Sequence, residues 1–396
     1  MFWQISNPST PYNRECPVAI TIAVAKETTD YEKRVAATPE TVKKLIALGA
    51  TLVVEKGAGE ASSYLDKAYE DAGAKIVDGR AAATASADII LKVQVEASDL
   101  ADLKKGALLV GLFAPYQNGD LISAAAAKGV DAFSMELVPR ITRAQAMDVL
   151  SSQSNLAGYK AVLDAAAEFS RAFPMMMTAA GTIAPARVFV MGAGVAGLQA
   201  IATAKRLGAV VSANDVRPAA KEQVESLGGT FIAVQDEEFK AAETAGGYAK
   251  EMSAEYKEKQ AKLVEETIAK QDIVITTALI PGRPAPKLVT AKMVESMKPG
   301  SVIVDLAVES GGNCELSIAG EVVVKHGVKI VGHRNVPSRL ATDASALYAR
   351  NILNLLGLVI DKESASLKIN WEDDVIKGLA LTKDGAVIHP NFANKS

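Results

Sequence analysis

From Val18 onward, short apolar runs alternate with longer stretches whose apolar residues recur every three or four positions. Residues 19–24, 51–54, 75–77, 88–93, 107–113 and 131–137 are predicted strands, and the longer runs are too continuously apolar to leave one face wet. Between them, Thr38-Pro39-Glu40 opens a helix: Thr38 can cap it, and Pro39 sits where no N–H is needed. Val42, Leu45 and Ile46 give that helix one apolar face, and Gly49 ends it. Further helices are predicted over 65–72 and 121–128, and one long helix over 145–173. A second series of strands follows at 187–191, 209–213, 230–233, 272–277 and 301–306, with 329–332 as its last member. A helix from near Asp343 then places Ile352, Leu355, Leu356 and Val359 at core-facing spacing.

This alternation predicts an α/β protein of two doubly wound parallel-sheet domains with a cleft between them, the second domain of Rossmann type. Residues 18–139 and 335–396 are assigned to a discontinuous N-terminal domain, because the last helix can pack back onto it. Residues 140–334 are assigned to the Rossmann domain. Residues 1–17 read as a loose extension without the basic and apolar regions of a secretory signal.

Composition narrows the chemistry. A length of 396 residues suits two domains, and 49% hydrophobic with 22% charged residues is ordinary for a globular chain. A net charge of -3 supplies no excess of cations for nucleic acid. Cys16 and Cys314 make no disulfide framework and read as free thiols, and the three histidines have no metal-ligand spacing. No metal is expected. No apolar run approaches the roughly 18–20 residues of a membrane span. The methionines at 175–177 are expected to fill gaps in a core or a dimer interface.

The most informative local pattern is VFVMGAGVAGLQA, in which Gly192, Gly194 and Gly197 follow a strand and open a helix through Val195 and Ala196. Gly192 permits the tight turn, Gly194 lets a pyrophosphate approach the backbone, and Gly197 lets helix and strand pack closely. The helix N-terminus offers unpaired N–H groups to phosphate. Asp215, at the end of the next strand, is placed to accept from ribose hydroxyls and to disfavour a 2′-phosphate, which selects NAD(H). Ala278 and Leu279, beyond the strand at 272–277, are expected to line the same cleft.

The flanking segments are more specific: PRITRAQAMDVLSSQSNLAGYKAV, FPMMMTAAGTIAPARVFVMGAGVAG, AETAGGYAKEM and TTALIPGRPAPKLVT. With them the chain resembles the NAD(H)-binding component (domain I, or alpha subunit) of proton-translocating NAD(P) transhydrogenases, from about Val18 to its end. The resemblance implies that Arg140 and Ser151 hold the nicotinamide carboxamide, Asp148 the ribose hydroxyls, and Gln145 the second nucleotide, with Tyr159 in support. It implies that Gly246, Gly247 and Tyr248 form a mobile loop closing over the nucleotide. It also implies a homodimer, a partner component carrying NADP(H), Re/Si-specific transfer, and membrane-spanning subunits that move protons. The chain would then lie on the cytoplasmic side, held to the inner membrane through its partners.

Alanine dehydrogenase shares the expected fold and is the alternative. Oxidising an amino acid requires a general acid–base group, and that family's histidine corresponds to the strand at 109–113, where Leu112 stands nearest. Its acidic partner appears here as Glu309, while its basic substrate residues are retained as Arg34 and Lys92, expected here to make structural ion pairs. Hydride transfer between two nicotinamide rings needs only that they be held about 3–3.5 Å apart. Positioning residues without the histidine favour transhydrogenation.

Overall fold

The computed structural model describes residues 19–240 and 253–393. Strands β1 (Thr21–Val24), β2 (Thr51–Glu55), β3 (Lys75–Val77), β4 (Ile89–Gln94), β5 (Leu108–Leu112) and β6 (Asp131–Ser134) come first. A hairpin of β7 (Met176–Thr178) and β8 (Gly181–Ile183) separates them from the second series. That series is β9 (Arg187–Met191), β10 (Val210–Asn214), β11 (Thr230–Phe231), β12 (Ile273–Thr276), β13 (Val302–Asp305), β14 (Val322–Lys325) and β15 (Val328–Val331). A small ladder of β16 (Ile360–Asp361) and β17 (Ser366–Leu367) precedes β18 (Ala380–Lys383) and β19 (Ala386–Val387).

Among the described residues two large sheets result, ordered β19-β18-β6-β5-β4-β1-β2-β3 and β11-β10-β9-β12-β13-β15-β14, beside the two-stranded β7-β8 and β16-β17 ladders. Their centres are parallel, as continuous apolar strands require, but neither sheet is wholly parallel. β18 and β19 add antiparallel to β6, and β14 pairs antiparallel with β15. The β14–β15 hairpin turns on His326 and Gly327, both at positive φ, which matches the twist of a two-residue hairpin. These edge strands are only two to four residues long, too short to give the signal of a long apolar run.

The predicted first helix forms over Pro39–Ala47, with Thr38 and Thr41 capping each other's backbone N–H. The predicted 145–173 helix is divided. A 3₁₀ turn, Thr142–Met147, is followed by a bridging helix, Val149–Glu168. Asp148 between them is extended (ψ 96°), and its carboxylate accepts from Ser151 N at 3.0 Å and Ser151 Oγ at 2.5 Å. The acid is therefore a helix cap, and D-x-x-S is the local signal for it. At the other end Phe169 is extended, and Phe169 and Phe173 turn into the second core.

The return helix, Ala341–Val359, packs Tyr348, Ile352, Leu355, Leu356 and Val359 into the core around β1, β2 and β4. Ala144, Met147 and Val149 join that core, whereas Ala161, Val162 and Ala165 of the bridging helix join the core around β9, β10 and β12. One helix thus touches both cores. The methionines at 175–177 do not fill a core: they stand 45–76% exposed on the β7–β8 hairpin. Among the described residues no helix is long and apolar enough to cross a membrane. No group of three or more His, Cys, Asp or Glu is arranged among them to hold a metal ion.

Candidate nucleotide-binding site

The glycine turn joins β9 to a helix over Val195–Arg206. Gly192 has φ +104°, and a methyl group on it would lie 2.5 Å from Thr277 Oγ1. A methyl on Gly197 would lie 1.8 Å from the Gly192 carbonyl oxygen, so this helix meets its strand only through glycine. Gly194 differs: a methyl there would meet nothing within 4 Å. The space over Gly194 is open, and Gly194 caps the helix without a side chain, leaving first-turn N–H groups available to an anion. Val195 is exposed and Ala196 half-buried beside it. This cradle fits a dinucleotide pyrophosphate.

Asp215 lies just beyond β10, 8% exposed. Its Oδ2 accepts from Ala193 N at 2.7 Å and Arg217 Nη2 at 3.0 Å, and its Oδ1 accepts from Arg217 N and Nε, both at 2.9 Å. Burial alone would raise this carboxyl, but the Arg217 fork and the two backbone N–H groups outweigh it and hold it below the usual carboxylate range. Four donors fill a carboxylate's acceptor sites, so any further hydroxyl donor at Asp215 would have to share with or displace Arg217. Sequence reasoning missed Arg217, although it stands two residues beyond Asp215.

Thr277 Oγ1 donates to the Gly192 carbonyl at 3.1 Å, which places the residues after β12 against the glycine turn. Ala278 is fixed by Asn313, which is fully buried. Asn313 Oδ1 accepts from Ala278 N at 3.0 Å, while Nδ2 donates to Ala278 O at 2.9 Å and Pro286 O at 2.8 Å. Leu279 beyond is 56% exposed. Nothing local in the sequence marks Asn313; its role comes from folding back on a loop 35 residues away.

The 140–148 segment ends at Asp148, already bonded to Ser151. Arg140 and Gln145 are exposed, and neither side chain makes a hydrogen bond among the described residues. The bridging helix then carries the chain to the glycine turn. At Gly158 it crosses the Val195–Arg206 helix so closely that a methyl would stand 2.0 Å from the Ala196 carbonyl oxygen. Asn155 reinforces the crossing with a 3.3 Å bond to Gln199. Tyr159, 38% exposed, is next to this contact. From Asp148 to Gly158 is about 15 Å along the helix axis, so the Asp148–Ser151 pair and the glycine turn stand at two ends of one rigid connection. Tyr248, with Gly246 and Gly247, lies outside the described residues, as does Cys16.

Arg34 and Lys92 are committed to internal partners. Arg34, 3% exposed, binds Glu32 Oε1 at 2.8 Å and Oε2 at 2.6 Å, and Gln153 Oε1 at 2.8 Å. Lys92 is fully buried, 3.3 Å from Glu27 and 3.4 Å from Asp99. Burial pushes Glu27 up to about 7 against the opposing pull of Lys92 and two backbone N–H groups. Leu112 is half-buried at the end of β5, and Glu309 accepts from Asn335 N at 2.9 Å.

Comparison with known proteins agrees with this architecture. Residues 23–157 match the family model described as alanine dehydrogenase/PNT, N-terminal domain, and residues 161–390 match its C-terminal counterpart. The chain is 58% identical over 375 residues to an NAD(P) transhydrogenase alpha-subunit chain of Rhodospirillum rubrum, covering 93% of this chain and 98% of that one. It is 30% identical over 393 residues to alanine dehydrogenase 1 of Staphylococcus aureus, covering 92% and 96% respectively. A solved structure of transhydrogenase from Sinorhizobium meliloti superposes with a TM-score of 0.85 at 56% identity, over 93% of this chain and 100% of that one. The protein belongs to the alanine dehydrogenase/PNT family, on the side of its NAD(P) transhydrogenase alpha subunits.

Proposed function

We propose that this chain is the NAD(H)-binding component of a proton-translocating transhydrogenase, an oxidoreductase subunit active together with its partners. The observation that carries this reading is the rigid link between the open cradle over Gly194 and the Asp148–Ser151 pair, through the Gly158 crossing. In this reading Gly192, Gly194, Val195, Ala196 and Gly197 seat the pyrophosphate, and Asp215 receives the adenosine ribose by sharing it with Arg217. Asp148 takes the nicotinamide ribose, Arg140 and Ser151 take the carboxamide, and Gln145 helps place the second nucleotide, with Tyr159 supporting the group. Ala278 and Leu279 line the cleft, and Tyr248 closes it.

Bound NAD(H) supplies or accepts the hydride. What the chain contributes is placement and exclusion of water, which suffices when neither ring needs an acid or base. NADP(H) is carried by a partner component, and membrane-spanning subunits couple transfer to proton movement, with this chain held peripherally on the cytoplasmic face of the inner membrane. The exposed β7–β8 hairpin is a suitable contact for a homodimer. We further propose domains of 18–139 with 335–396, and 140–334, sharing the bridging helix. The alanine dehydrogenase alternative is disfavoured because Leu112 stands where that family carries its histidine, and because Arg34 and Lys92 are paired internally with Glu32 and Asp99.

The test mixes the chain with a transhydrogenase NADP(H)-binding component and follows reduction of an NAD analogue by NADPH. Turnover is expected. Its absence with a competent partner, or alanine-dependent NADH formation by the chain alone, overturns the proposal.

A further inference from the structure

The loop that ends at Asp148 is held from outside the nucleotide cleft, by residues near the C-terminus. Arg143 forks onto Asp373 (Nη1–Oδ2 2.9 Å, Nη2–Oδ1 2.7 Å), the residue that caps the Asp374–Leu379 helix. Three residues later, the Ala146 carbonyl accepts from Asn351 Nδ2 at 2.8 Å and Asn354 Nδ2 at 3.0 Å, both on the return helix. Asn351 is 7% exposed, and its Oδ1 accepts from Ser152 Oγ at 2.8 Å. One amide therefore ties the loop to the first turn of the bridging helix. Ala144 and Met147 are buried pegs beneath the loop. The loop is thus anchored through the side chains of Arg143, Ala144 and Met147 and the carbonyl of Ala146, while Gln145 stands exposed between those points and Asp148 follows the last.

We propose that Asn351 and Asp373 are positioning residues for hydride transfer: they set where Gln145 and Asp148 stand without touching the nucleotide. This rests on the proposed role of the 140–148 loop. A two-point Arg–carboxylate fork fixes orientation as well as distance. Partly open to solvent, the fork is screened and contributes only modestly to stability despite its two-point geometry, yet a shift of 1 Å at a reacting pair can cost about 100-fold in rate. Those two magnitudes separate positioning from folding. Asp373→Asn is the informative variant, because asparagine caps a helix as well as aspartate does but cannot match the charged fork to Arg143.

The chain and its variants are assayed with an NADP(H)-binding component by single-turnover hydride transfer, beside NADH titration calorimetry and thermal melts. Asp373→Asn and Arg143→Met are each expected to slow transfer about tenfold or more, with the NADH Kd within about threefold of wild type and little change in Tm. The double variant should be no slower than the slower single, since both act through one pair. Asn351→Ala should slow transfer further and also lower Tm. Additive singles, or equal losses in NADH affinity and transfer, overturn the positioning role. Wild-type transfer in both fork variants, with Asp148→Asn severely impaired, overturns the anchoring alone. Wild-type transfer in Asp148→Asn instead overturns the reading of the loop on which it rests.

Discussion

The Gly158 crossing can be tested by a single methyl group. In Gly158→Ala the new carbon would stand 2.0 Å from Ala196 O, 2.8 Å from its carbonyl carbon and 3.0 Å from its Cα. Carbon contacts settle near 3.5 Å, so the two helices must part by about 1.5 Å. Alanine in a helix interior recovers about 1 kcal/mol over glycine. Overpacking costs about 1–3 kcal/mol, and here the obstacle is backbone, which has no rotamer to yield. The clash should win by about 2 kcal/mol, which lowers Tm by about 4–8 °C for a domain of this size. The same parting moves the Asp148–Ser151 pair relative to the glycine turn, for which about a 100-fold loss of transfer is expected. Calorimetric melts and stopped-flow transfer with the NADP(H)-binding component measure the two effects. A Gly158→Ala chain with wild-type Tm and wild-type transfer would refute the claim that the crossing sets the site.

Gly194→Ala should behave oppositely: its φ of -76° suits alanine and the methyl meets nothing, so Tm should hold while NADH affinity falls by about tenfold or more. Unchanged affinity by titration calorimetry would show that the pyrophosphate lies elsewhere. Asn313→Ala strands the Ala278 N–H and the carbonyls of Ala278 and Pro286. At about 1 kcal/mol for each lost bond it should cost about 3 kcal/mol in chemical denaturation, and a loss below about 1 kcal/mol would show the loop is held by other means. Glu27, pushed up to about 7 from an ordinary value of 4.5, keeps in the fold a proton that the unfolded chain releases earlier. Because the folded value is the higher one, this contribution is fullest below 4.5 and is lost as pH rises to about 7. The stability of wild type minus Glu27→Gln should therefore fall across that window by up to about 3 kcal/mol; a flat difference would mean Glu27 titrates normally.

Much of the architecture is legible locally. Continuous apolar runs specify buried parallel strands, because such strands have no wet face. The spacing of Gly192, Gly194 and Gly197 states three steric demands that a short turn imposes on itself, and the structure meets each with a measurable close approach or open space. Thr38 and Pro39 mark a helix start because capping involves only near neighbours. The cap at Asp148 is equally local, and its D-x-x-S spacing outranks the helical periodicity that carries the predicted helix through it.

Other features have no local cause. β18 pairs with β6 from the far end of the chain, and Asn351 and Asp373 reach the 140–148 loop across 205 and 230 residues. Gly158 is one more helical glycine until Ala196 is brought against it, and Asn313 is an ordinary polar residue until Ala278 lies beside it. Arg34 and Lys92 could have served a substrate; the folded chain instead surrounds them with Glu32, Glu27 and Asp99. Strands, caps and the glycine turn depend on backbone dihedrals and nearest neighbours, so the order of residues is enough to specify them. The separation between the two ends of the candidate site, and the groups that hold it, came from the fold alone, because burial and contact between distant segments arise when the chain closes on itself.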